Sequence, residues 1–264
     1  MFEIPSREGL PIRGDVEAPR EARALVVIAH GFKGFKDWGF FPWLGEYLCA
    51  AGFAVVRFNM SRSGIGENPE TFDRLDLFAG DTYSTQVHDL LDVVRYAQER
   101  YRGLPLFLLG HSRGGGIALL AAREIEDLAG VVTWSSIARI DRWDEQTKRK
   151  WRAEGFLDVI NARTKQVMPM STAILDDYEA NRSRLDILDS ATHLRVPLLA
   201  IHGAGDESVP LDESRQIVDR AVDASLLVIP GASHTYNAIH PLVHVPRALQ
   251  FAAIVSAHFV GAYA

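Results

Sequence analysis

Gly110-His111-Ser112-Arg113-Gly114-Gly115-Gly116 follows the apolar run Pro105–Leu109 and precedes the alanine- and leucine-rich stretch Ile117–Ala122. A serine set among glycines between a strand-like and a helix-like run can cradle a phosphate or carry a covalent intermediate. The first five residues read G-x-S-x-G, in which small neighbours let the chain turn sharply from strand to helix and expose the serine. The helix that follows aims its first amide groups at the same place, where they favour negative charge developing on a substrate oxygen. A phosphate site fits poorly. The segment has no G-x-x-x-x-G-K-[ST] lysine, and its glycines do not form a G-x-G-x-x-G after the strand.

A serine hydroxyl is a weak nucleophile at neutral pH, so it needs a base within hydrogen-bond reach and an acid to orient that base. For this turn type the expected chain order is nucleophile, acid, histidine. Ile201-His202-Gly203-Ala204-Gly205-Asp206 places Asp206 in a glycine-flanked loop after one strand-like run, and Pro230-Gly231-Ala232-Ser233-His234 places His234 after the next. Both sit just past strand C-terminal ends, where open α/β sheets hold their sites. Glu207 and Asp212 are rival acids. Asp206 is preferred because Glu207 points away from its neighbour and Asp212 suits the N-cap of the next helix. Among nine histidines, His240 and His244 lie near Pro241 and Pro246 on the approach to the last helix, and no histidine spacing makes a zinc motif. Oxyanion donors are expected from the backbone N–H of Phe32, in the loop His30-Gly31-Phe32, and from that of Arg113. His30 reads as a residue that fixes this loop.

The surrounding chain carries the same rhythm. Phe2–Ile4 and Ile12–Val16, separated by Gly9 and Pro11, predict an N-terminal antiparallel hairpin. Ala24–Ala29, Ala54–Phe58, Leu106–Leu109, Val131–Trp134, Leu198–Ile201 and Leu226–Ile229 are short apolar runs that read as strands buried on both faces. Between them, helical patterns cover Phe41–Ala50, Tyr83–Glu99, Gly116–Glu126, Asp212–Val222 and Pro246–Phe259. This alternation predicts a mostly parallel sheet with helices on both faces. Residues 135–194 break the rhythm and read as an insertion. Within it Ile140, Trp143, Thr147 and Trp151 share one face of an expected helix, with both tryptophans read as packing residues. Val167–Leu175, around Pro169, reads as an irregular hairpin, and Asp176–Arg182 as a helix.

Composition narrows the function classes. A chain of 264 residues, 47% hydrophobic and 23% charged, is an ordinary globular chain and is read as a single domain. A net charge of -6 offers no overall attraction to nucleic acid, which is not expected as a partner. Cys49 is the only cysteine, so an internal disulfide is impossible and a reducing compartment is favoured. No apolar stretch reaches membrane-spanning length and the N-terminus lacks a signal-peptide pattern, which gives a cytoplasmic reading.

These motifs together resemble the α/β-hydrolase superfamily: His30-Gly31-Phe32 as the oxyanion loop, Gly110–Gly114 as the nucleophile elbow, Asp206 as the acid and His234 as the base. Within it the chain is similar to small bacterial carboxylesterases of the cinnamoyl and feruloyl esterase type, with an H-G-F loop and a G-H-S-x-G-G elbow. The resemblance implies an α/β-hydrolase fold, with an eight-stranded, mostly parallel sheet and residues 135–194 as a lid inserted after the sixth strand. It implies a carboxylester hydrolase acting through Ser112, Asp206 and His234, with Phe32 and Arg113 amides at the oxyanion. A small-molecule ester, short-chain or aryl, is the implied substrate, and no metal or organic cofactor is implied. Thioester, lactone or other acyl hydrolysis on the same triad stays open, as does a non-catalytic binding module of this fold. Two departures bear on substrate. Arg113 stands where many such esterases have glutamine, and Asn59-Met60-Ser61-Arg62-Ser63-Gly64 replaces an aspartate-containing loop.

Overall fold

A computed structural model describes residues 1–161 and 163–264. Among them, eight strands form one sheet: β1 (Phe2–Pro5), β2 (Pro11–Glu17), β3 (Ala24–Ala29), β4 (Phe53–Phe58), β5 (Leu106–His111), β6 (Leu128–Trp134), β9 (Leu198–Gly203) and β10 (Ala224–Ile229). Their spatial order is β1-β2-β4-β3-β5-β6-β9-β10. The first two pairings are antiparallel, β1 with β2 and β2 with β4, and the rest are parallel. The N-terminal hairpin and the six apolar runs thus form the expected mostly parallel sheet; five of the runs are buried as expected, whereas β10, at the sheet edge and paired only with β9, is buried at Ile229 alone.

The continuous apolar character of the central strands has a simple cause: both faces are covered. Leu25, Val27, Ala54, Val56, Leu106 and Leu108 point to one face, and Ala24, Val26, Ile28, Val55, Phe107 and Leu109 to the other, as the two-residue period of a strand requires. Helices α3 (Tyr83–Arg100), α4 (Arg113–Ala122) and α8 (Leu211–Arg220) pack the first face through Leu90, Val94, Ile117 and Ile217. Helices α1 (Phe41–Ala50) and α9 (Arg247–Tyr263) pack the second through Leu44, Leu48, Leu249 and Ala253. Thr82 caps α3, its hydroxyl accepting from the Thr85 N–H at 3.1 Å.

Several boundaries differ from expectation. Helix α4 starts at Arg113, not Gly116. Three consecutive glycines have poor helix propensity, and tertiary packing overrides it. Asp212 is not the N-cap of α8; Pro210 holds that position, and Asp212 lies in the first turn, bonded to Gln216 at 2.5 Å.

Residues 135–194 run between β6 and β9, neighbours in the sheet. They hold α5 (Glu145–Glu154), the antiparallel pair β7 (Phe156–Ile160) and β8 (Val167–Ser171), then α6 (Ala173–Ala180) and α7 (Ile187–Thr192). A further short helix, α2 (Leu75–Ala79), precedes α3. The hairpin is therefore not contained in Val167–Leu175: that stretch supplies only its second arm, and Pro169 pairs with Asp158. Likewise Ile140 and Trp143 precede α5, which begins where the Asp144 carboxylate accepts from the Thr147 N–H at 2.7 Å. Trp151, Met168, Met170, Ile174 and Leu175 join the same hydrophobic cluster as α3 and α4, so the insert shares the domain's core.

Candidate active site

Strand β3 lies between β4 and β5, where the strand order reverses, and the loops beyond the C-terminal ends of β3 and β5 meet there. Register brings Ala29 beside Gly110, so His30-Gly31-Phe32 leaves the sheet next to Ser112. The turn at Ser112 is tight. Its backbone adopts φ 57° and ψ -122°, a conformation costly for a residue with a side chain, held here by its surroundings. Those surroundings are backbone: a Cβ on Gly110 would collide with the Gly114 carbonyl, and one on Gly114 with the carbonyls of Ala29 and His30. Side chains at these two positions would force β3, β5 and α4 apart. Ser112 sits at the N-cap of α4, yet its side chain makes no capping bond, which leaves the hydroxyl to the cavity. Arg113 opens the helix, where backbone N–H groups have no intrahelical partner.

Asp206 and His234 meet although 28 residues separate them. His234 Nδ1 lies 2.8 Å from Asp206 Oδ2. The other oxygen of Asp206 accepts from the Ser208 and Val209 amides, each at 2.9 Å. Burial pushes the Asp206 carboxyl upward in pKa, but hydrogen bonds from His202, His234 and Val209 outweigh it and hold the group well below the usual carboxylate range. The side chain is 1% exposed and that of His234 14%, so the charge is screened from water while the imidazole reaches the cavity. Glu207 takes no part at the ring; its carboxylate accepts from the His234 backbone N–H at 3.4 Å.

Three more histidines brace this arrangement. His202, fully buried, has Nε2 3.3 Å from Asp206 Oδ2 and 3.0 Å from the Val209 carbonyl, with Nδ1 2.7 Å from the Ser214 hydroxyl. Its Nε2–H therefore donates to the Val209 carbonyl with Asp206 Oδ2 as a second, longer acceptor, and its Nδ1 accepts from the Ser214 hydroxyl. His111 Nε2–H donates to the His234 carbonyl at 3.0 Å, and burial drives its pKa down to about 3, so it holds the His234 loop as a neutral ring. His30 accepts from the Met60 N–H at 3.2 Å and donates Nδ1–H to the Gly31 carbonyl at 2.9 Å; burial lowers its pKa to about 4. It ties the loop after β3 to the one after β4. The same loop after β4 holds Asn59, whose side-chain Oδ1 accepts from the Lys36 N–H at 2.7 Å.

Ser112, His234, Phe32 and Arg113 line one cavity of about 490 Å³ together with Ile137, Arg142, Trp143, Asn161 and Arg163 from residues 135–194. The two tryptophans divide their work. Trp151 is buried and donates its indole N–H to the Met170 carbonyl at 2.8 Å, whereas Trp143 stands edge-on to it at 5.1 Å and reaches the cavity. His202 has one signal in the sequence, four residues before Asp206 on the same strand and loop. The cavity's other cationic residues have none, being scattered at Lys33, Arg142 and Arg163.

A sharp turn carrying a strained serine at the C-terminal edge of a parallel sheet, with an Asp–His pair two loops away, defines the α/β-hydrolase class. More narrowly, residues 20–184 match the family model described as serine aminopeptidase, S33, and the chain belongs to that family. The matched span contains Ser112 but ends before Asp206 and His234. Human monoglyceride lipase is 34% identical over 169 residues, 64% of this chain and 51% of its own length, so the match spans about half of that relative. Monoacylglycerol lipase of Mycolicibacterium smegmatis is 26% identical over 251 residues, 86% of each chain. Among solved structures, Est1E from Butyrivibrio proteoclasticus, with ferulic acid bound, aligns over 100% of this chain and 99% of its own with a TM-score of 0.74 at 21% identity. That likeness shows the α/β-hydrolase fold.

Proposed function

We propose that this protein is a serine carboxylester hydrolase. The observation that carries the reading is the Asp206–His234 bond of 2.8 Å, set on the same cavity as a serine whose backbone is strained and whose hydroxyl caps nothing. In this mechanism Ser112 Oγ attacks the ester carbonyl carbon as His234 Nε2 takes the hydroxyl proton. The resulting oxyanion accepts hydrogen bonds from the Phe32 and Arg113 amides, and Asp206 stabilises the imidazolium. Collapse breaks the carbon–oxygen bond to the alcohol, which leaves with the proton from Nε2. Water then attacks the acyl-enzyme, giving its proton to His234, and release of the acid returns that proton to Ser112. The chemistry requires no metal or organic cofactor.

Amide, thioester and lactone cleavage share these steps. Esters are favoured because the two named relatives are a monoglyceride lipase and a monoacylglycerol lipase. Residues 135–194 act as the lid, and Trp143 is one of its contacts with the substrate. Purified protein is expected to hydrolyse p-nitrophenyl acetate or butyrate and to gain an organophosphonate adduct on Ser112 by mass spectrometry. Folded protein with neither turnover nor adduct overturns the reading and favours a binding module. A panel including thioester, lactone and aminoacyl substrates separates the related chemistries.

A further inference from the structure

The chain as a whole is acidic, yet its catalytic cavity is not. Lys33, Arg113, Arg142 and Arg163 line it, and no aspartate or glutamate does so among the described residues. One of the four is neutralised: Arg142 holds Glu213 at 2.7 and 2.8 Å. The others are not bonded to a carboxylate. Lys33 Nζ donates to the Ile160 carbonyl at 3.0 Å, and Arg163 Nη2 to the Glu70 carbonyl at 3.3 Å; the Glu70 side chain instead faces His240. The Arg113 side chain is only 6% exposed, and its nearest carboxylate, Asp81, stands 3.9 Å from Nη1, beyond hydrogen-bond reach. That Nη1 is buried with no hydrogen-bond partner. The guanidinium is held 4.0 Å over the Phe32 ring and 4.8 Å over the Tyr83 ring, both cavity-wall residues.

Such an arrangement is expensive unless something answers it. A buried guanidinium with an unused N–H loses solvation without compensation, and like charges in one cavity repel. The repulsion is felt within the site: burial and the Arg113 charge both depress the Lys33 ammonium. An aliphatic acyl chain would worsen matters by desolvating three cations. A negatively charged substrate group in the cavity offsets the repulsion among these cations and their lost solvation.

Building on the ester-hydrolase reading, we infer that the preferred substrate carries an anionic group, a carboxylate, besides the scissile ester, and that Lys33, Arg113 and Arg163 recognise it. The cavity then selects against neutral glycerides and for half-esters of dicarboxylic acids or esters of hydroxy acids. Lys33 and Arg163 also clip the oxyanion loop and the Glu70 segment to the insert, so the anion binds where the roof meets the floor.

The test compares matched esters. On the acyl side, p-nitrophenyl butyrate is set against mono-p-nitrophenyl glutarate, the same chain ending in a carboxylate. On the alcohol side, phenyl acetate is set against 4-acetoxybenzoate. Each kcat/KM is normalised to the hydroxide-catalysed rate of the same ester. We expect at least one anionic member to exceed its neutral partner by about tenfold at low salt, the size of one charge-assisted contact. That ratio should shrink as salt rises and fall about tenfold in Lys33→Gln or Arg163→Gln. Ratios at or below unity for both pairs overturn the inference while leaving ester hydrolysis intact. If no ester is turned over, the ester reading fails, and calorimetric binding to Ser112→Ala decides the anion site separately. Tighter binding of monoethyl glutarate than of ethyl butyrate upholds it, and equal binding overturns it.

Discussion

Around Ser112, β3, β5 and α4 meet backbone to backbone, and Ile137 joins them with its N–H on the Ser112 carbonyl at 3.3 Å, whereas residues 142–166 are tied across the cavity by side chains. On the floor, no Cβ fits at Gly110 or Gly114 because carbonyls of neighbouring elements already occupy the space. Above, the contacts are those of long residues: Arg142 to Glu213, Gln166 to the Phe72 carbonyl at 2.9 Å, Lys33 to the Ile160 carbonyl. Backbone packing defines one geometry and tolerates almost no substitution. Side-chain ends can be exchanged one at a time, at a cost near that of a surface ion pair, about 0–1 kcal/mol. The proposed chemistry, which must be placed to fractions of an ångström, falls on the first kind of packing, and the proposed substrate contacts of residues 135–194 fall on the second.

Substitutions can break this division or sharpen it. Ser112→Ala should lower kcat by about 10⁶-fold with an unchanged melting temperature, since the hydroxyl contributes no cap and little packing; a small loss would place the nucleophile elsewhere. Asp206→Asn should cost about 10⁴-fold in kcat by offering His234 the wrong partner, measured against the same ester. Trp151→Ala, inside the insert, should cost about 3–5 kcal/mol in denaturant unfolding, because the whole indole is buried and its N–H satisfied. Equal loss of stability and little change in substrate ratios would mark it as packing. Trp143→Ala should do the reverse: it should shift kcat/KM ratios across acyl and alcohol series by about tenfold or less, with small loss of stability. Unchanged ratios would refute a lid role for Trp143.

A separate effect concerns the charge behind Arg113. Burial raises the Asp81 carboxyl from an ordinary 3.8 to about 7, against the pull of Arg113. The folded protein therefore binds a proton that the unfolded chain releases, and the contribution is lost as pH rises from about 4 through 7. Asp81→Asn should flatten the stability–pH curve in that window relative to wild type. His30 and His111, lowered by burial, have the opposite sign, but both proteins carry them and they cancel in the difference. Identical slopes would show that Asp81 is charged throughout and already neutralises Arg113.

Legibility in the sequence follows the same division. The buried strands are legible because a sheet covered on both faces demands unbroken apolar runs, and Val26-Val27-Ile28 has no polar side that could face water. The turn at Ser112 is legible because its steric demand for glycine is local. In the insert the linear pattern misleads wherever pairing is non-local. Val167–Ser171 pairs with Phe156–Ile160, and that first arm alternates polar and apolar residues so weakly that only its partner reveals it. For helix α5 the periodicity marks the right face but the wrong start, since Ile140 and Trp143 reach the core and the cavity from a loop.

Local chemistry written along the chain was enough to specify the sheet and the tight turn at Ser112, and to propose Asp206 and His234 as its partners, because each reading depends on residues adjacent in sequence or on a strand's own period. Three-dimensional packing alone decided that His202 supports Asp206, that Trp143 and not Trp151 faces the cavity, and that cations from positions 33, 113 and 163 gather at one site without a carboxylate bonded to them. Those relations depend on distances across the fold, between residues that nothing in the linear order brings together.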